Sequence, residues 1–485
     1  MTAWQRLSPR MLLVHPVHEV LRQLPLLIGS IVLGSATGNP MWTLAALGLM
    51  VGFGVARWFT TSYRIEPGEV QLRAGVLQRN VLSVPRNRIR SVQTDARLLH
   101  RLLGLTVLRL STGQEAKGRS GFELDAVETG QVPRLRAILL AEALEPVTQT
   151  DGPTDTVLAR WQPSWLRYSP LSFSGLAMIV AAIGVAYQAG AGAALQGSKM
   201  ARTGLDTAER FGVLATVAVV VVAVLSVSVV LAVLRSLVTF GNLVLSRSAG
   251  KEGDVLHLRH GLLRVREHTY DMRRLRGGTL RQPLLVRVFG GARLDAVMTG
   301  VEGAGESSLL LPPCPASTAE AVLTELVGDA SVVCGPLRTH GPVAARRRWA
   351  RALVLPLSLG VTLAVLAATV GAPLWVWPVW LMLTACCALL AADRVRSLGH
   401  RISGGWLVAR SGSLDRRRDC IATPGIIGWT VRQTLMQRRA GVATLVAATA
   451  AGTKHYRVID VPAGQAWAIA AQASPWVAGS VWAGR

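Results

Sequence analysis

Residues 63–113 read YRIEPGEVQLRAGVLQRNVLSVPRNRIRSVQTDARLLHRLLGLTVLRLSTG, a basic, strand-rich stretch that starts where a long apolar run stops. Val70 and Leu72 alternate with Glu69, Gln71 and Arg73, the period of a half-buried strand. Gly75 then permits a bend or bulge. Val81–Val84 is a second β-prone run, stopped by Pro85. Arg86, Arg88 and Arg90 lie two apart, so an extended chain puts them on one face with Ile89 opposite. Thr106–Ser111 and Phe122–Val127 are further strands. Gln131–Leu144 has a helical pattern, with Pro133 in its first turn.

The stretch recurs. Aligned on Gly75, Gly261 and Gly412, a later position holds Ile89, Leu275 and Ile426, and another holds Leu98, Leu284 and Leu435. Arg101, Arg287 and Arg438 then coincide, followed by Gly104, Gly290 and Gly441, and no gap is needed. One shared glycine means little; five positions at fixed spacing in three copies define an internal repeat. The second and third copies also end in helical patterns, at Ser317–Val327 and Gly464–Ala471. Each copy is therefore strands first and one helix last, a package in which the helix covers an open end of a bent antiparallel sheet.

Each copy follows a pair of apolar runs: Leu21–Gly38 with Met41–Phe59, Leu171–Leu195 with Phe211–Leu234, and Ala352–Gly371 with Leu374–Ala392. Most are long enough to cross about 30 Å of hydrocarbon as a helix. Arginines flank the pairs on the repeat side, at Arg6, Arg10, Arg22, Arg57, Arg64, Arg235, Arg346–Arg348, Arg351, Arg394 and Arg396. The turns Asn39–Pro40 and Ala372–Pro373 carry no charge, and Gly197–Arg210 is nearly balanced. The positive-inside rule then predicts six spans, with both termini and all three repeats cytoplasmic. The expected layout is an α+β membrane protein with hairpins at 1–59, 166–235 and 346–393. The soluble domains are 60–165, 236–345 and 394–485, with Glu145–Arg160 as a linker. Trp161, Trp165 and Trp349 lie in segments that suit the headgroup zone.

Composition agrees with a membrane protein. Of 485 residues 50% are hydrophobic and 16% charged, against about a quarter charged in soluble domains. The net charge is +24, and 48 of the 52 basic residues are Arg. Codon bias and the positive-inside excess account for much of this; a surface for anionic lipid is the sharper reading. The five cysteines are scattered without a CxxC, which argues against a disulfide framework or a zinc site.

The run from Gly75 to Gly113 resembles the bacterial PH-like domain of the YdbS and YdbT group of membrane proteins. The pattern lies in Gly75, Ile89–Gln93, Leu99–Leu105 and Thr106–Gly113. It is weaker in the second copy and weakest in the third, where Pro424 and Gly425 are expected to interrupt a strand. The resemblance implies a bent antiparallel sheet capped by a helix, displayed on the cytoplasmic face in three modules. It implies no phosphoinositide binding, and fold alone gives no function.

No catalytic constellation, metal set or cofactor motif is visible. His257 and His260 fall on opposite faces of a strand, and the spans hold no charge away from their ends, which argues against an ion pump. The candidate lipid-facing residues are Arg86, Arg88 and Arg90, Arg273, Arg274 and Arg276, and Arg416, Arg417 and Arg418. The structural markers are the six repeat glycines with Arg101, Arg287 and Arg438. The expected function is non-enzymatic: cytoplasmic scaffold or interaction modules facing anionic lipid and other membrane proteins, serving the cell envelope, with no nucleic acid. The alternative is a transporter or flippase-like protein with its path between the hairpins.

Overall fold

The computed structural model describes residues 4–6, 8–10, 41–66, 68–75, 79–85, 91–96, 98–111, 122–132, 134–135, 156–172, 174–188, 212–249, 254–299, 308–371 and 373–480. In chain order the strands are β1 Gln5–Arg6, β2 Ser62–Ile65, β3 Glu69–Ala74, β4 Asn80–Pro85, β5 Ser91–Ala96, β6 Leu105–Ser111 and β7 Phe122–Glu128. β8 Thr156–Arg160, β9 Val244–Ser248, β10 Val255–His260, β11 Val265–Asp271, β12 Leu275–Pro283, β13 Gly291–Met298 and β14 Leu309–Pro315 follow. The last are β15 Gly399–Ser403, β16 Trp406–Ser411, β17 Asp415–Ala422, β18 Ile426–Arg432, β19 Val442–Thr449 and β20 His455–Pro462.

The sequence repeat is a conformational repeat. Gly75, Gly261 and Gly412 have φ of 128°, 105° and 96°, and Gly104, Gly290 and Gly441 have φ of 68°, 74° and 66°. A Cβ at Gly261 would strike the Arg264 carbonyl, and one at Gly412 the Asp415 carbonyl, so these hairpin turns require glycine. Leu98, Leu284 and Leu435 each open a five-residue helix, Leu98–Leu102, Leu284–Val288 and Leu435–Arg439.

The chain forms two compact units, Met1–Trp161 with Val238–Arg274, and Gln162–Leu237 with Leu275–Arg485. Their boundary falls inside the second repeat. The first unit holds a four-stranded sheet, β1-β2-β3-β4, and a seven-stranded one, β7-β6-β5-β11-β10-β9-β8. Tyr63, Val70 and Val84 of the former pack with Leu105, Leu108, Phe122, Leu124 and Val127 of the latter, and with Val132 and Leu135. Those two residues begin the segment Gln131–Leu144, most of which lies outside the described residues.

The second unit holds a six-stranded sheet, β14-β13-β12-β17-β16-β15, and a three-stranded one, β18-β19-β20. Leu407, Ala409 and Ile421 pack with Ile426, Leu445, Ala447 and Val458, closed by Ile469 and Ala470 of the helix Ala466–Ala473. The helix Ala316–Val327 buries Val322 and Leu323. It lies so close to β12 that a Cβ on Gly278 would come within 2.6 Å of Leu323. Thr423-Pro424-Gly425 does not interrupt a strand. It forms a 3-10 turn ahead of β18, and Met272–Arg274 forms one at the same repeat position ahead of β12. The fixed φ of Pro424 suits the first turn of such an element.

Among the described residues three helices are long and apolar enough to cross a membrane: Val213–Phe240, Gly341–Thr369 and Val376–Arg396. The last two pack through Trp380, whose indole N–H donates to the Pro356 carbonyl (2.8 Å) and whose ring lies against Gly360. Met41–Thr60 is also helical, and the run 171–195 is described as helix over Ser174–Gln188. The run Leu21–Gly38 lies outside the described residues.

Backbone pairs close the ends of each apolar segment. β1 pairs with β2 around the first, β8 with β9 around the second, and Arg338 with His400 around the third. The stretch expected as a linker therefore ends in a strand, Thr156–Arg160, because its N–H and C=O groups complete the edge of β9. Two interfacial expectations also change. Trp165 is buried with Tyr168 inside a short 3-10 segment rather than set in headgroups. Arg347 and Arg348 are buried on Asp460: Arg347 Nη1 and Arg348 Nε donate to its two oxygens, and Gln437 Nε2 donates to Oδ1 at 2.9 Å. This node ties the start of Gly341–Thr369 to β20 and to Leu435–Arg439. A carboxylate with no exposure needs such company.

At the third clasp, the Ile459 carbonyl accepts from His340 Nδ1 (2.7 Å), leaving Nε2 to accept from His400 Nδ1 (2.9 Å). Burial, then the neighbouring His340 and Arg338, lowers His400 to about 4, and burial lowers His340.

Asp460→Ala strands two buried guanidinium groups and is expected to cost about 3–5 kcal/mol, read as a lower thermal midpoint in detergent. The His400 shift gives a pH dependence. The unfolded imidazole takes a proton near pH 6.5 and the folded one only near 4, so stability is full above pH 6.5 and is lost as pH falls toward 4. The loss is on the order of 3 kcal/mol. His400→Gln should flatten thermal stability over that window.

Candidate functional site

In the first unit a cavity of 510 Å³ opens beside the turn that ends Val213–Phe240. Arg101 comes from Leu98–Leu102, Arg160 and Trp161 from the end of β8, Asn242–Val244 from the turn and the start of β9, and Arg259, Gly261 and Leu262 from the β10–β11 hairpin. Backbone groups hold this framework. The Trp161 N–H donates to the Leu243 carbonyl (2.7 Å) and the Gly261 N–H to the Gly241 carbonyl (2.8 Å). A helix leaves its last carbonyls without partners. Here the Leu262 N–H takes that of Val238 (3.0 Å) and His260 Nδ1 that of Thr239 (2.8 Å). Asn242 turns the chain with φ of 56°, a conformation its short polar side chain tolerates.

The cavity is cationic. Arg101 donates to the Leu262 carbonyl (2.9 Å), while Arg160 and Arg259 are exposed. The carboxylate of Glu267 stands 3.6 Å from Arg259. Exposed guanidinium groups beside an indole and an amide suit a small anionic group such as a phosphate. The lining has no nucleophile with an adjacent base. Among the described residues no group of three or more His, Cys, Asp or Glu could hold a metal ion.

A second cavity, of 430 Å³ in the second unit, carries Arg281, Arg417, Arg457 and His455 together with Asp295, Asp415 and Asp419. Its charges compensate one another: Arg281 donates to Asp415 (2.5 Å) and Arg293 to Asp295 (2.9 Å). Burial raises Asp295 despite Arg293 and Arg281. With Arg281 also 3.9 Å from Asp295, these contacts hold β12 to β17 and β13, a structural role.

Arg86, Arg88 and Arg90 lie outside the described residues. Arg273 and Arg274 both reach Asp271, at 3.2 and 3.6 Å, and the stem of Arg276 lies against Gly425. Arg416 binds Asp393 (2.6 Å), Arg417 binds Asp415 (3.1 Å), and Arg418 donates to the Gly335 carbonyl (2.8 Å). Of the repeat arginines, Arg287 binds Asp393 (2.8 Å) at the end of Val376–Arg396, and Arg438 is exposed. Sequence reasoning gave Arg101 only a structural role and passed over Arg160 and Arg259, which are far apart in sequence. The recurrence of Arg101 was the one available signal.

The sheets continue from one repeat to the next. β5 pairs with β11 and β12 with β17 in one register: Val265 faces Ala96 as Arg416 faces Gln282. At a single pair of repeat positions Arg264 binds Asp95 and, with the charges exchanged, Asp415 binds Arg281. Burial alone would raise Asp95; the hydrogen bond and charge of Arg264, with Arg109 and Arg266, hold it lower.

The family model described as Bacterial PH domain matches residues 20–143 and 352–474, half of the chain, and the protein belongs to that family. Each match takes in apolar segments as well as strands. No curated protein and no solved structure matches the chain.

Asp95→Arg should cost about 2 kcal/mol in thermal stability, since Asp95 is buried and Arg264 is partly solvated. Adding Arg264→Asp in the same chain should restore most of the loss. Equal damage from the double variant would show that the pair does not set the junction.

Proposed function

We propose that this is a non-enzymatic membrane protein whose three PH-like modules, each behind a two-helix hairpin, serve as an interaction platform on the cytoplasmic face. The observation that carries this reading is the pairing of chain on both sides of each apolar segment. A strand before the segment hydrogen-bonded to a strand after it brings both ends to one place. The segment between then crosses the bilayer an even number of times. Six spans follow from three such segments, and the arginine distribution puts the paired ends inside. The layout is that of the larger proteins of the YdbS and YdbT group.

The platform would work as an interaction surface in the cell envelope, for anionic lipid and for other membrane proteins. The cavity beside Phe240 supports the lipid part. It stands at the foot of an apolar helix, where a headgroup would lie, and it presents Arg160 and Arg259. Each Arg near an anionic surface contributes about 1 kcal/mol, so the two together are worth roughly thirtyfold in affinity.

Phosphatidylglycerol retained by the full-length protein after detergent extraction and re-equilibration tests this. Arg160→Gln with Arg259→Gln should reduce the retained lipid severalfold and weaken its dependence on salt, leaving the thermal midpoint unchanged. Retention equal to that of the parent chain removes the cavity from the lipid-binding reading.

A further inference from the structure

The repeat makes its internal junctions from the same two parts. One is the strand that begins the second half of a repeat, β5 or β12; the other is the strand that follows the first glycine turn, β11 or β17. The array leaves one of each over. β18 stands in the third repeat where β5 and β12 stand in the others, and among the described residues it pairs only with β19. β4 stands where β11 and β17 stand, and among the described residues it pairs only with β3.

We propose that copies of this chain assemble head to tail, β18 of one pairing antiparallel with β4 of the next. The proposal rests on the reading that both strands lie on one face of the membrane. The register is the one both junctions already use. His268 faces Gln93 and Asp419 faces Thr279; the same positions put Leu82 opposite Thr430, Val81 opposite Val431 and Asn80 opposite Arg432. Pro85 lies beyond the paired positions of β11 with β5 and of β17 with β12 and removes no donor from the ladder.

The chemistry of the two edges favours pairing. Proteins that keep a sheet edge single place charges on it, shorten it or cover it. Here the pattern is reversed. β11 carries Arg266, Glu267 and Asp271, and β17 carries Asp415, Arg416, Arg417, Arg418 and Asp419, yet both are paired. The open strand β4 reads NVLSVP without a charge, and β18 reads IIGWTVR with one. Val81 is 55% exposed and Ile427 69%. Arg438 adds a third sign. Arg101 and Arg287, at its repeat position, bind Leu262 and Asp393 of the following repeat, whereas among the described residues no such partner meets the Arg438 side chain. A heterologous contact of this kind builds closed rings or open rows rather than a two-fold dimer.

Cysteine crosslinking of the full-length protein in native membranes tests the proposal, in a chain with Cys334, Cys386 and Cys387 replaced by Ser. Leu82→Cys with Thr430→Cys, treated with a thiol oxidant, should give a ladder extending beyond the dimer. Co-expressed single variants should give dimers only. Leu82→Cys with Gly428→Cys, two residues out of register, should give at least fivefold less product. No ladder, a crosslink within one chain, or equal yield from the out-of-register pair overturns the assembly. Labelling each single variant with a membrane-impermeant maleimide separates the two levels. Opposite sides would overturn the layout on which the assembly rests, and one side without a ladder would overturn the assembly alone.

Discussion

The structure depends on the antiparallel pairing of one repeat's strand with a strand of the next. A sheet edge buried without partners leaves each N–H and C=O at a cost of about 1–3 kcal/mol, so an exposed edge must be covered or extended. This chain extends it, β5 with β11 and β12 with β17. Its compact units consequently do not coincide with its repeats. The second repeat gives β9–β11 to one unit and β12–β14 to the other. A repeat cut out at its sequence boundaries would lose a neighbour along a whole strand, which is why binding is better measured on the full chain than on a single module.

One register at both junctions would allow the wrong strands to meet. β5 against β17 would set Asp95 against Asp415, and β12 against β11 would set Arg281 against Arg264. The exchanged charges penalise both mistakes, while Arg264–Asp95 and Asp415–Arg281 favour the correct neighbours. Like charges facing each other suppress wrong partners more effectively than a matched pair strengthens the right one. Alignment by identity hides this, because the signal lies in a change of sign between repeats, from Asp95 to Arg281 and from Arg264 to Asp415.

Much of the architecture was legible. Positive φ at the six glycines explains why glycine recurs at those positions in this chain, so spacing alone located the turns. Strand alternation located β3, β6 and β7 to within a residue or two. What periodicity could not show was pairing. Thr156–Arg160 ends a stretch, from Glu145, whose Pro, Thr, Gly and Asp read as a linker, and the free edge of β9 makes it a strand. Pro424 read as a breaker because its turn precedes the strand instead of cutting it. The cationic cavity draws on Arg101, Arg160 and Arg259, residues no local window holds together.

The arginine excess acquires a physical reason beyond codon usage and membrane topology. Arg347 and Arg348 share the carboxylate of Asp460, Arg287 and Arg416 share that of Asp393, and Arg418 spans the carbonyls of Val332 and Gly335. Each task asks for several donors in a fixed plane on a cation that stays charged when half-buried. A guanidinium meets that demand and an ammonium, which sheds its proton more readily when desolvated, does not. Asp393 ends Val376–Arg396 and Arg347 and Arg348 lie in the first turns of Gly341–Thr369, so these pairs sit where apolar helix meets sheet. The positive charge that flanks the apolar helices is thus partly the charge that fastens them to the sheets, and a lysine-rich version of this chain would keep the flanking charge while losing the fastening.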